Sequence, residues 1–220
     1  MIGDCLENFL AAPFDCPITA CSQIVSSSML LTHFIQTHQR DENAVDIKEI
    51  EENEKISLVV SREFLKIEKN VCLGILAHKI ENEKHSNALL VSNYKHLEHQ
   101  LPILIMACRG NYIKMLVTES EIDDPESDFV VIWLMAPKLT SSESNPRRKL
   151  SATITVHDED FKKSLSTLVQ VRSACDSHNI HEFIGKETNF LTVDSGFLNE
   201  ISSDDSFFIE ILISEFNDSF

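Results

Sequence analysis

The sequence predicts a mostly β protein: an antiparallel β-sandwich preceded by a small zinc finger of the Cys2His2 type. Three observations carry that expectation. Two cysteines and two histidines near the amino terminus stand at metal-ligand spacing. Beyond them the chain breaks into short runs rich in Val, Ile, Leu and Phe, separated by polar turns. Of the 220 residues, 43% are hydrophobic, enough for a sizeable core.

Residues 1–12 read as an amino-terminal tail. It carries Asp4 and Glu7 but no basic residue, which makes it a poor signal peptide. Residues 13–40 read as the finger. Phe14-Asp-Cys-Pro-Ile-Thr-Ala-Cys21, followed by His33 and His38, gives the pattern C-x4-C-x11-H-x4-H. Two cysteines on a tight turn supply one edge of a tetrahedron, and two histidines about one helical turn apart supply the other. The interval between the pairs is one residue short of the usual spacing of about twelve. Ser26, Ser27 and Ser28 offer N-cap hydroxyls, and Met29 to His38 contains no Gly or Pro to interrupt a helix. Leu30, three residues before His33, is expected to pack on Ile24 or Val25. Cys16, Cys21, His33 and His38 are thus the predicted ligands of one structural zinc ion.

A finger helix that reads DNA carries Arg, Lys, Asn or Gln toward base edges. This helix holds no Lys or Arg. Leu31, Phe34 and Ile35 instead add apolar surface that a finger of this size cannot cover by itself, so it should dock on the rest of the chain.

Residues 41–55 hold seven acids against two bases and read as an acidic linker, or as the outer face of a short ordered segment. Residues 56–214 read as the sandwich, with 215–220 as a tail. The apolar runs are Ile56 to Val60, Val71 to Ala77, Ala88 to Val91, Leu101 to Cys108, Tyr112 to Thr118 and Asp128 to Met135. Leu150 to Val156, Leu165 to Val171, Phe190 to Val193 and Phe207 to Ile213 follow. Ser151 to Val156 alternates, as a strand with one wet face should. The stretch Phe161 to Val171 suits a strand or a helix.

The charge excludes some partners. Nineteen Lys and Arg against 35 Asp and Glu give a net charge of −16, which repels phosphate backbones and anionic lipid. The basic doublet Arg147-Arg148 sits in a polar loop and reads as solvated. No apolar run approaches the roughly 18 residues of a bilayer-spanning helix, so no membrane partner is expected. An intracellular location, cytoplasmic or nuclear, follows, with reduced thiols. Cys72 and Cys108 then read as small buried hydrophobes, and Cys5 and Cys175 as isolated thiols.

Catalytic signatures are missing. Five scattered glycines form neither G-x-G-x-x-G nor a P-loop, and there is no G-x-S-x-G or H-E-x-x-H. His157-Asp158 near Ser164 and Ser166 has no accompanying oxyanion feature. His78, His85, His96 and His99 read as solvated, and Trp133 as core. No enzyme activity is expected.

The segment Cys16-Pro-Ile-Thr-Ala-Cys21 through His33 and His38 resembles the second zinc finger of the seven-in-absentia family of ubiquitin ligases. Asn179-Ile-His-Glu-Phe-Ile184 is similar to the family's S-I-H-E-G-I stretch. Phe190 to Ser195, Phe197 to Ile201 and Phe207 to Ile213 resemble its closing strand, short helical turn and last strand. The resemblance implies a TRAF-like sandwich that binds protein or extended peptide ligands at a sheet edge, with a homodimer allowed. It is weak outside the finger and the final 40 residues, as in a diverged, insect-type offshoot known as a domain of unknown function. The family's ligase activity sits in a RING of about eight zinc ligands, and only 15 residues precede Cys16. The first finger is missing as well, so ligase activity does not carry over. The region from Ile56 to His99 is longer than its counterpart, which leaves room for an extra hairpin over an edge; a covered edge would not transfer the peptide site, so no groove residues carry over. The expected function is therefore a non-catalytic protein-recognition module or adaptor, linked to ubiquitin-ligase pathways. A nucleic-acid-binding zinc-finger protein is the alternative.

Overall fold

The computed structural model describes residues 13–39, 45–79, 85–116, 124–137 and 149–216. The expected tail 1–12, Cys5 and the Arg147-Arg148 loop lie outside these residues. The fold is mostly β. The strands are β1 (Phe14–Asp15), β2 (Ile24–Val25), β3 (Ile47–Ile50), β4 (Lys55–Ser61), β5 (Val71–His78) and β6 (Leu101–Asn111). They continue with β7 (Asp128–Ala136), β8 (Lys149–His157), β9 (Ser164–Gln170), β10 (Arg172–Ser173), β11 (Leu191–Asp194) and β12 (Ser206–Phe216). β1 and β2 form the finger's hairpin. One sheet has the order β3-β5-β6-β7, with β10 and β11 sharing the far side of β7. The other has the order β4-β12-β8-β9.

The two sheets face each other. Leu101, Ile103, Ile105 and Ala107 of β6 meet Leu150, Ala152, Ile154 and Val156 of β8 and Phe207, Ile209, Ile211 and Ile213 of β12 in one core. The second sheet keeps its other face wet, with Thr153, Thr155 and Glu210 on it, so β8 and β12 alternate. β6 and β7 do not, because both faces of the first sheet are covered. Leu104, Met106 and Cys108 of β6, with Phe129, Val131 and Trp133 of β7, point away from the second sheet. They pack with Leu30, Leu31, Phe34 and Ile35 of the finger in a second core. The apolar helix face docks on its own chain, as its composition required.

Several elements differ from expectation. The sandwich is antiparallel in its central pairs, but β3 runs parallel to β5 and β10 parallel to β7. Part of the acidic segment 41–55 is ordered as β3: Ile50 is buried in the sandwich core, while Lys48 and Glu49 stay toward solvent. Among the described residues between Ile56 and His99, β4 and β5 belong to opposite sheets and form no hairpin over an edge. Ala88 to Val91 is not a strand. Its Ala88 N–H donates to the Ser28 carbonyl (2.7 Å), and its carbonyl accepts from Thr32 Oγ1 (2.6 Å), strapping it to the finger helix. Tyr112–Leu116 is helical rather than extended. Asn111 Oδ1 accepts from the N–H of Ile113 (3.0 Å) and of Lys114 (3.2 Å), the arrangement of an N-cap. β12 runs to Phe216, beyond the boundary placed at 214.

Candidate metal centre

The centre is built from a knuckle and a helix. In the knuckle, the Cys21 N–H donates to the Ile18 carbonyl (2.8 Å) and the Cys16 N–H to the Gln23 carbonyl (2.9 Å), which turns both thiols to one side. The helical segment Ser27 to His38 begins as a 3-10 turn, continues as α-helix over Leu30–His33 and ends as π-helix over Phe34–His38. Ser26 stands at the N-cap without a capping side-chain bond, so the serine signal marked the place but not the contact.

The π turn answers the histidine spacing. In an α-helix, residues five apart diverge by about 140° around the axis. The wider turn, marked by the Gln39 N–H on the Phe34 carbonyl (3.0 Å), brings His38 back over His33. The two Nε2 atoms lie 3.2 Å apart. Cys16 Sγ is 3.4 Å from His38 Nε2, and Cys21 Sγ is 3.6 Å from His33 Nε2. All four ligand atoms fall within 4.8 Å of one another. This group can hold a metal ion. Among the described residues, His78, His85, His96 and His99 do not converge on a comparable cluster.

Burial sets the electrostatics. It pushes the Cys16 thiol up to about 12, so a thiolate there needs a cation beside it. Burial and the neighbouring His38 lower the pKa of His33, which keeps that imidazole neutral with a lone pair to give. With Nε2 ligating, His33 Nδ1–H donates to Thr37 Oγ1 at 3.3 Å, which fixes the ring. Thr37 sits four residues after His33, so this partner was legible in principle at helical spacing.

Asn70 was not legible. It precedes β5, and it ties the knuckle to the sandwich. Its backbone N–H donates to Thr19 Oγ1 (2.8 Å), and its Nδ2 donates to the Pro17 carbonyl (3.0 Å) and the His178 carbonyl (2.9 Å). His178 in turn accepts at Nδ1 from Trp133 Nε1 (3.1 Å). His157 is stacked between Phe161 and Phe208, with Nδ1 on the Asp158 carbonyl.

The model of a family described as Domain of unknown function (DUF4729) matches residues 15–204. The chain belongs to that family. No curated protein matches it. The matched stretch of this DUF4729 chain includes all four Cys and His ligands, Asn70 and every strand from β2 to β11. No helix of the described residues is long and apolar enough to cross a membrane.

Proposed function

We propose that this chain is a non-catalytic protein-recognition module, an adaptor that holds one structural zinc ion and takes an extended peptide beside β4. The geometry supports zinc. Zinc bonds of about 2.3 Å to sulfur and about 2.05 Å to nitrogen give tetrahedral edges near 3.3 Å for N–N and 3.6 Å for S–N. Three of the six edges here are 3.2, 3.4 and 3.6 Å, and all lie within 4.8 Å.

The observation that carries the peptide reading is a groove of about 650 Å³ between β4 and the start of β5. Ile18 and His38 of the metal module line it together with Val59, Phe64, Val71 and Leu73. Among the described strands β4 pairs only with β12, and Lys48 Nζ donates to the Ser57 carbonyl (3.1 Å) from the other side. Backbone groups alternate in direction along an antiparallel strand, so Val59, two residues on, offers its N–H and carbonyl to the same side. Its side chain is 66% exposed. An extended ligand can therefore add as a strand there, with its side chains against the apolar wall. Lys48 guards the neighbouring position and provides a cation for an acidic residue of the ligand.

The resemblance to the seven-in-absentia family and its TRAF-like sandwich supports an adaptor in ubiquitin-ligase pathways, in the cytoplasm or nucleus. The nucleic-acid reading loses support, because the finger helix is buried against the first sheet and the net charge is −16. Affinity capture with mass spectrometry, followed by direct binding of the purified pair, tests the reading. Binding should survive about 0.5 M salt, since its main terms are apolar contact and strand pairing. Val59→Pro removes an outward N–H at a strand edge that tolerates proline, and it should abolish binding without changing the melt. Partners held equally by Val59→Pro would refute the site. Salt-sensitive binding of oligonucleotides, or discharge of a ubiquitin-loaded conjugating enzyme by the purified chain, would overturn the function.

A further inference from the structure

The wet face of the second sheet is not uniform along β4. The register sets Val59 opposite Phe208, and Phe208 opposite His157. Residues paired in this way share one face, so the three form a row across the sheet. Phe161, from the turn after β8, completes the row. Its ring stacks on the imidazole with centroids 3.6 Å apart, and the Phe208 ring stacks on the same imidazole at 5.5 Å. His157 is only 2% exposed between them. The rows on either side are polar. One runs through Ser57, Glu210, Thr155 and Ser166, with Ser57 Oγ donating to Glu210 Oε1 (3.4 Å) and 2.7 Å between the Thr155 and Ser166 hydroxyls. The other pairs Ser61 with Ser206.

The apolar row is capped at one end and open at the other. Phe161 caps it at β8. At β4 it ends on Val59, which is 66% exposed, and among the described strands none lies beyond it. An extended ligand paired with β4 runs about 4.8 Å further out. Its residue opposite Val59 falls in the same row, and the residues before and after it turn inward to the groove, where Val71 and Leu73 lie. The Phe208 backbone is then two strand spacings away, about 10 Å. Val59 is short, so an aromatic side chain from the ligand can lie across it and meet the Phe208 ring. It gains a cross-strand contact with a β-branched residue and a ring contact beyond it. The next outward residue of the ligand, two positions along, meets a different surface. Opposite Ser57 it finds Glu210, held by Lys55 Nζ at 2.9 Å, and Lys48 Nζ on the Ser57 carbonyl. An apolar side chain there would cover polar groups without replacing their contacts with water.

We propose that the ligand of this edge is an extended segment with an aromatic residue opposite Val59 and a polar residue two positions away, opposite Ser57. The inference rests on the peptide reading of β4 and adds the class of sequence that the edge selects. The groove sees only the inward-facing residues of such a ligand; the row sees the outward ones.

A random-peptide display library selected on the full zinc-loaded chain tests this. Peptides whose binding is lost with Val59→Pro should share one aromatic position. Replacing that residue by serine should weaken binding to the wild type about tenfold, equivalent to about 1.4 kcal/mol. On Val59→Thr, which keeps the branched side chain, or on Phe208→Thr, the same replacement should cost less than about threefold, because the contact is already gone. Circular dichroism checks that both variants are folded. Ser57→Val carries the apolar surface into the next row and should shift the selected peptides toward an apolar residue two positions from the aromatic. Peptides sensitive to Val59→Pro but with no shared aromatic position would overturn the proposal and leave the peptide reading standing. So would an aromatic residue whose contribution depends on Leu73→Ala and not on Val59→Thr or Phe208→Thr, since it would sit in the groove. If no selected peptide is sensitive to Val59→Pro, both fall.

Discussion

Phe34→Ala tests whether the finger and the sandwich are one folding unit. Phe34 is 1% exposed and belongs to the core shared with Met106, Val131 and Trp133. Its ring centroid lies 4.9 Å from that of His38 and 5.7 Å from that of His33, so it also props the metal helix. Truncating a buried Phe costs about 3–5 kcal/mol, from lost transfer energy and the cavity left behind. For a chain of this size, each kcal/mol moves the melting midpoint by about 2–4 °C, so the expected drop is roughly 6–20 °C. The assay is a thermal melt followed by circular dichroism in the strand region, with zinc present. Ile24→Ala provides the contrast, because Ile24 lies in the same module but is 71% exposed. That variant should stay within about 2 °C. If Phe34→Ala leaves the strand transition where it was, the finger is a tethered module and the shared core is wrong as an energetic statement.

Metal removal should act on the same unit. Purified protein should hold one equivalent of zinc, Cys16→Ser should release it, and chelation should lower the melting point of the whole chain; elemental analysis below half an equivalent would refute the assignment. Asn70→Ala should weaken zinc about tenfold in a chelator competition while the folded spectrum persists, because the Pro17 carbonyl of the knuckle loses its side-chain tie to the sandwich. An unchanged affinity would make Asn70 a loop residue only. Stability should also fall in mild acid. Burial, then the charge of Arg172, hold the His178 pKa down to about 4, against 6.5 in the unfolded chain. The unfolded state therefore takes the proton first: this contribution is complete above pH 6.5 and is lost as pH falls toward 4, by about 3 kcal/mol. His178→Gln removes that slope and keeps an acceptor for Trp133, so the two stability curves should converge with acid. Parallel curves would refute the assignment.

Much of this was legible in the sequence, and the exceptions have causes. The four ligands were legible because metal chemistry fixes residue type and spacing together. β4 and β8 were legible because each has a wet face, and the pattern of two survives; β12 was legible as a strand, but its apolar Phe208 and Leu212 on the wet face made it read as more buried than it is. Ala88 to Val91 and Tyr112 to Leu116 were misread because both are apolar for reasons of tertiary contact. The first straps the finger helix, and the second stacks Tyr112 on Phe129 at 4.2 Å behind an asparagine cap. β3 was hidden by its acids, since an edge strand needs only one buried residue, Ile50, to hold its place. The groove was out of reach, because it is made by β4 and β5 crossing to different sheets. No periodicity encodes that.

The unbroken apolar runs Leu101 to Cys108 and Asp128 to Met135 carry the deeper point. A sandwich strand with one wet face cannot read that way, so these runs require something to cover the first sheet from outside. The finger helix is apolar beyond its own needs in the same measure: Leu31 and Phe34 are almost fully buried only because β6 and β7 lie beneath them. Each excess is a liability alone and a complement to the other. The metal centre then does more than staple a small hairpin. An ion that holds Cys16 and Cys21 against His33 and His38 would fix the pitch of the helix that closes the sheet. Ile18 and His38, which line the groove, belong to the same module. On the proposed function, a ligand beside β4 would be read against a wall that the ion helps to build.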